Sequence, residues 1–250
     1  MSIAISVTRC LTALGALVAI PVFAAETKVA VAANFTGPAK EIAAGFQKAT
    51  GHKAALAFGS SGAFVTQISH GAPFEVFLSA DADRPSKAEK DGLAVPGTRF
   101  TYAVGQLVLY STTPGLVDGK GAILKSGSFD KIAIADPATA PYGVAAVEVM
   151  RKLGVYGMLK PKIVTGSSIA QTYQFTATGA AQLGFVTLSQ VITTAGGSRW
   201  IVPARLHGPI DQQAVLLNAG KNKPAAAAFV KYLKSRAALA IIRRYGYMTR

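Results

Sequence analysis

The stretch VAVAANFTGPAKEIAAGFQKATG, residues 29–51, changes period halfway along. Val29, Val31 and the alanines beside them read as a short buried strand. Pro38 to Thr50 read as an amphipathic helix, with Ile42 and Phe46 four residues apart on one face and Gly51 as its stop. Between the two lies Asn34–Phe35–Thr36–Gly37, a small, polar, uncharged junction where a helix presents amide groups without intrahelical partners. The same order of strand, turn and helix recurs. KAALAF (53–58) leads into GSSGAFVTQISHG, and FEVFLSA (74–80) precedes a helix around Pro85–Asp91. KIAIAD (131–136) runs through PATAPYGVAAVEVMRKLG to Gly154, and KIVTG (162–166) leads into SSIAQTYQFTATG. YAVGQLVLYS (102–111) reads as a strand pair or one long strand, AQLGFVTLSQV as a strand and turn, and QQAVLLN (212–218) as a strand. PAAAAFVKYLKSRAALAIIRRYG closes the chain as one or two helices. This alternation predicts the α/β class with parallel, doubly wound sheets. In such sheets ligands sit beyond the carboxyl ends of the strands, where helices begin.

The segment before this pattern sets a compartment. Met1 to Ala25 carries one positive charge, Arg9, then the apolar run CLTALGALVAI, then a proline and small residues ending VFAA. That is the pattern of a secretory signal peptide, residues 1–25, with cleavage after Ala24 or Ala25 and delivery to the periplasm. The apolar run is shorter than the ~20 residues a membrane-spanning helix needs. Cys10 lies inside it, so the mature chain is expected to have neither disulfides nor thiol chemistry. The remaining ~225 residues suffice for one large or two small domains. They hold 25 basic against 12 acidic residues, a formal charge of +13, which favours anionic partners through long-range attraction. Lys and Arg are spread along the chain without basic and aromatic interleaving, which argues against nucleic acid as a partner.

Four of the helix-starting turns share one chemistry. Asn34 precedes one helix, Ser60 and Ser61 another, Tyr142 a third, and Ser167–Ser168–Ile169 a fourth. They offer hydroxyls, an amide and first-turn N–H groups, and none contains a charged residue. Helix N-termini attract anions through those N–H groups and the helix dipole. A site made only of neutral donors suits a fully deprotonated oxyanion. Taken singly, each turn is also what an ordinary helix cap looks like.

VAANFTGPAKEIAAGF, FGSSGAFVTQISHGAPFEVFLSAD, IADPATAPYGVAAVEVMRKLG and LGFVTLSQV together resemble the periplasmic molybdate-binding proteins of ABC uptake systems. The resemblance runs from about Lys28 to the C-terminal RRYGYM, and the spacing in SSG…QI..GAPFEVFLSAD is its most specific part. It implies a type II-like, two-lobed α/β binding protein with the oxyanion held in the cleft between lobes. Carried onto this chain, the family's contacts fall on Asn34, Ser61, Tyr142, Ile169 and Thr187. Asn34 stands where the family usually has Ser and would supply a donor through its side-chain NH2. Thr187, where Tyr is frequent, is too short to be a strong candidate, so the Tyr142 phenol is expected to reach into the cleft in its place. Any metal enters only as the molybdate or tungstate oxyanion, through the same residues, and no cofactor is implied. The implied partner is an inner-membrane ABC permease, with the binding protein itself a monomer.

The expected lobes are 26–104 plus 208–250 for the first and 105–207 for the second. Two crossings, near Ala103–Gly105 and Leu206–Pro209, would form a hinge for closure around the ligand. Asp81 and Asp83 read as caps for the next helix, and His52, His70 and His207 as surface residues at no metal-ligand spacing. Trp200, Phe229, Tyr232 and Tyr245 read as core. GSSGA lacks the nucleophile-elbow spacing, so the turns read as a binding site and not an enzyme's. The alternatives are a binding protein for sulfate, thiosulfate or a small organic anion, or an exported hydrolase that would lose turnover on Ser61→Ala.

Overall fold

A computed structural model describes residues 24–249; apart from Ala24 and Ala25, the expected signal peptide lies outside them. Two five-stranded sheets, each flanked by helices, form two lobes. The first sheet holds β1 (Glu26–Ala32), β2 (Lys53–Gly59), β3 (Val76–Leu78), β4 (Phe100–Val104) and β10 (Asp211–Leu216), in the order β2-β1-β3-β10-β4. Its helices are α1 (Thr36–Thr50), α2 (Ser61–Ser69), α3 (Asp83–Lys90), α9 (Pro224–Leu233) and α10 (Arg236–Arg244). The second sheet holds β5 (Leu107–Ser111), β6 (Ile132–Ala135), β7 (Ile163–Gly166), β8 (Leu183–Thr187) and β9 (Ser198–Ile201), in the order β7-β6-β8-β5-β9. With it go α4 (Ile123–Ser126), α5 (Pro141–Lys152), α6 (Tyr156–Leu159), α7 (Ile169–Ala177) and α8 (Leu188–Val191).

Local sequence explains the opening unit. Only the first residues of β1 alternate, with Glu26 and Lys28 exposed, while Val29 to Ala32 are buried throughout because helices cover both faces of the sheet. Ile42 and Phe46 then turn α1 onto the sheet, where Phe46 meets Phe229 edge to face with ring centroids 5.2 Å apart. Gly51 ends the helix with φ 75°, a left-handed conformation that glycine adopts without strain, and its N–H bonds Gln47 O at 2.9 Å.

The sheets, expected to be parallel and doubly wound, are mixed. β1 runs parallel to β2 and β3, and β6 parallel to β7 and β8. β10 is antiparallel to β3 and β4, and β5 antiparallel to β8 and β9. Both exceptions are strands that follow a crossing between lobes, so they enter their sheets from the opposite end. YAVGQLVLYS is accordingly two strands, β4 and β5, in different sheets, broken at Gly105 and Gln106. The two crossing segments are tied to each other and to the chain end. Gly105 N–H donates to Ile210 O at 2.9 Å, and Val104 and Met248 exchange backbone bonds at 2.7 and 3.1 Å. His207 beside them is buried, with Nδ1 2.6 Å from Gly208 O, contrary to its expected surface placement. It closes the short 3₁₀ turn Ala204–Leu206, its N–H donating to Ala204 O at 3.4 Å. Among the described residues no helix is long and apolar enough to cross a membrane.

Candidate functional site

Each of the four uncharged turns follows a strand at its carboxyl end, so the sheets aim them into the space between the lobes. Asn34 lies in the short 3₁₀ turn Ala33–Phe35 that joins β1 to α1. Ser60 caps α2, its Oγ accepting from Ala63 N–H at 3.3 Å, and Ser61 opens that helix. Pro141 and Tyr142 open α5, and Ile169 opens α7 after the Ser168 cap. Asn34, Ser60, Ser61, Tyr142 and Ile169 line one pocket, closed off by Ala80 and Ala140. The room it leaves for a water-sized sphere is about 10 Å³, far below the ~300–1,000 Å³ of sites for drug-sized ligands. None of its lining residues carries a formal charge. Ser61, Tyr142 and Ile169, which begin helices there, carry first-turn N–H groups for which a helix has no internal acceptor.

Hydrogen bonding decides what each side chain can offer. Ser61 is 1% exposed and its Oγ accepts from Ala80 N–H at 2.9 Å, which leaves its hydroxyl hydrogen to donate into the pocket. Asn34 differs from expectation. Its Nδ2 donates to Gln212 Oε1 at 2.7 Å and to the Tyr247 hydroxyl at 3.1 Å, so both hydrogens are held inside the protein. The Tyr142 phenol likewise does not stand free in the cleft. Its oxygen accepts from Thr187 Oγ1 at 3.1 Å and from Gln212 Nε2 at 3.2 Å. Thr187 is fully buried behind Tyr142 and does not line the pocket.

These bonds belong to a buried network that sequence reading missed. Tyr102 OH is shared between Gln212 Oε1 at 3.0 Å and Ser79 O at 3.2 Å. Ser189 Oγ and Tyr247 OH both donate to Asn34 O, at 2.8 and 2.6 Å. Burial is the main reason that the phenols of Tyr102, Tyr142 and Tyr247 all ionise above their ordinary range. For Tyr102 and Tyr142 the Tyr247 phenol adds to the rise. The one available signal was polar residues inside apolar runs, such as Ser79 in FLSA and Thr187 in FVTL, and it says nothing of the partner; Gln212, between Asp211 and Gln213, gave no signal.

The lobes touch across the cleft beside the pocket. Gly62 N–H donates to Thr139 O at 2.9 Å, and Arg84 pairs with Asp81 while donating to Ala138 O at 3.3 Å. Asp81 Oδ1 also accepts from Arg84 N–H at 3.1 Å and from Ser79 Oγ at 2.9 Å, so it ties down the start of α3. A wider groove there, lined by Asp81, Asp83, Arg84, Lys87 and Glu148, shares Pro141 with the small pocket. Its charges include the Arg84–Asp81 pair, which makes it a poorer seat for an anion.

Residues 27–248 match the bacterial extracellular solute-binding protein family. The molybdate-binding protein ModA of Rhodobacter capsulatus is 60% identical over 231 residues, 92% of this chain and 91% of that protein. The chain is a bacterial extracellular solute-binding protein of the ModA family. Another ModA, from Azotobacter vinelandii, is 56% identical over 97% of this chain and 98% of its own. A solved structure, the Azotobacter vinelandii periplasmic molybdate-binding protein, superposes with a TM-score of 0.87 at 44% identity, covering 90% of this chain and 99% of that one. The resemblance noted in the sequence is thus to the right family, and the two-lobed α/β fold is the family's own. Membership also makes this solute-binding protein a carrier and not an enzyme.

Proposed function

We propose that this protein captures molybdate in the periplasm and delivers it to an inner-membrane ABC permease, and that tungstate, a tetrahedral dianion of nearly the same size, binds as well. The observation that carries the reading is a small pocket between lobes where four helix starts converge without a single charged side chain. Backbone N–H groups at Asn34, Ser61, Tyr142 and Ile169, with the Ser61 hydroxyl, would then surround a dianion with donors only. Such donors match an anion that has no proton to give. Relatives named as molybdate-binding, at 60% and 56% identity, support the same choice.

In this reading lobe 1 is 26–104 with 208–250, lobe 2 is 105–207, and the protein works as a monomer without a cofactor. Thr187 acts behind the pocket, through Tyr142. Titration calorimetry of the purified protein with molybdate, tungstate, sulfate and phosphate tests it. Tight binding of molybdate and tungstate, with sulfate weak because the smaller anion leaves hydrogen bonds too long, is the expected result. Heat with sulfate or phosphate and none with molybdate overturns it.

A further inference from the structure

Gln212 occupies an unusual place for an amide. It is the second residue of β10 and fully buried, and an apolar side chain would suit that strand better. The pairing of β10 with β4 is irregular between Gln212 and Gln213. Gln212 faces Ala103 and Gln213 faces Thr101, which leaves Tyr102 as the extra residue of a bulge. Bulges re-aim side chains, and here Tyr102 and Gln212 bond each other. The amide is satisfied at both ends. Its oxygen accepts from Asn34 Nδ2 at 2.7 Å within lobe 1, and its nitrogen donates at 3.2 Å to the Tyr142 phenol, which comes from lobe 2. The hinge is shaped to permit this. A Cβ at Gly105 would lie 2.8 Å from Gln212 Nε2 and collide with the Tyr142 hydroxyl.

We infer that Gln212 is the positioning residue that couples the two halves of the pocket, holding Asn34 and Tyr142 in register so that closing the lobes completes the donor set. The inference rests on the pocket being the ligand cleft. Asn34 and Tyr142 each contribute a helix-start N–H from a different lobe, and Gln212 bonds both side chains at once. Its bond to Tyr142 joins the lobes in the arrangement where they also touch at Gly62 and Thr139, so losing it disfavours that closed arrangement, with or without ligand.

The test compares Gln212→Met, Tyr142→Phe and the double variant with the parent. In stopped-flow kinetics with molybdate, each single variant should release it at least tenfold faster, with association within about twofold. The double variant should be no worse than the poorer single one, because both remove the same link. Unchanged release, or effects that multiply in the double variant, overturn the inference. A ligand-free measurement separates this from the ligand's identity. Spin labels at Lys48→Cys and Lys125→Cys, exposed positions on opposite lobes, report the distance between lobes by pulsed EPR. The closed population should fall in Gln212→Met, and in Tyr142→Phe should the methionine variant not fold. If the parent fails to bind molybdate, this distance alone decides: a smaller closed population upholds the coupling and an equal one refutes it.

Discussion

Thr187 Oγ1 donates to the Tyr142 phenol oxygen at 3.1 Å, so two groups that would compete for a ligand are instead a buried pair. Thr187→Val keeps the shape and removes the donor, while Gln212 still bonds Tyr142. It should cost about 1 kcal/mol of stability, read from urea unfolding, and change molybdate affinity less than about threefold. A loss beyond tenfold would put Thr187 on the ligand.

Ser61 carries two duties in this reading, receiving Ala80 N–H and turning its own hydrogen to the ligand. Ser61→Ala removes a hydrogen bond to a charged ligand, about 1.5–3 kcal/mol, or roughly one to two decades in Kd by calorimetry. It also leaves a buried N–H unpaired, so the ligand-free variant should unfold more easily. Parental affinity in this variant would move the ligand elsewhere.

Gly62 faces Thr139 of the other lobe across the cleft, its N–H donating to Thr139 O at 2.9 Å. A Cβ there would sit 2.8 Å from Thr139 Cα and 3.0 Å from Thr139 O, both backbone atoms of the facing lobe. Gly62→Ala should prop the cleft open and lower molybdate affinity at least tenfold. Alanine is also the better helix residue in α2, so lobe 1 should not be weakened. Small-angle scattering of the molybdate-saturated variant should give a larger radius of gyration than the parent; identical radii and affinities would contradict it.

Alkaline pH should act on stability before it acts on binding. No ordinary side chain lining the pocket titrates between about pH 6 and 9, so affinity should stay level there. Tyr102, Tyr142 and Tyr247 are held protonated by the fold above their ordinary range. Unfolded phenols ionise near pH 10, so above that the unfolded state binds fewer protons than the folded one. The contribution is complete below pH 10 and declines as pH rises through the higher folded values. Urea midpoints from pH 7 to 11 should fall only in the upper part of the range, and less steeply for Tyr142→Phe. A drop in affinity by pH 8 would reveal a titrating group at the ligand.

Much of this was legible before any coordinates. Strand, turn and helix units are local, so period and helix-start residues located α1, α2, α5 and α7, and the turns that open them are the ones that line the pocket. What escaped is non-local. Gln212 finds partners 178, 110 and 70 residues away, at Asn34, Tyr102 and Tyr142. No periodicity in QQAVLLN announces them. The direction of β5 and β10 was hidden for the same reason, because it depends on which end of a sheet a crossing reaches. The Asn34 amide and the Tyr142 phenol were read as donors from their chemistry, whereas their neighbours decide which way they point.

The strand order β2-β1-β3-β10-β4 has a temporal consequence. A chain made from its N-terminus has β1 to β4 by residue 104, yet β4 bonds only β10 in that sheet, and β10 ends at residue 216. The second sheet needs nothing beyond residue 201, so it can assemble while the first still lacks an inner strand. The lobe that begins first is finished last. A nascent chain stalled before residue 211 should therefore protect the amides of β5 to β9 from hydrogen exchange and leave those of β4 open.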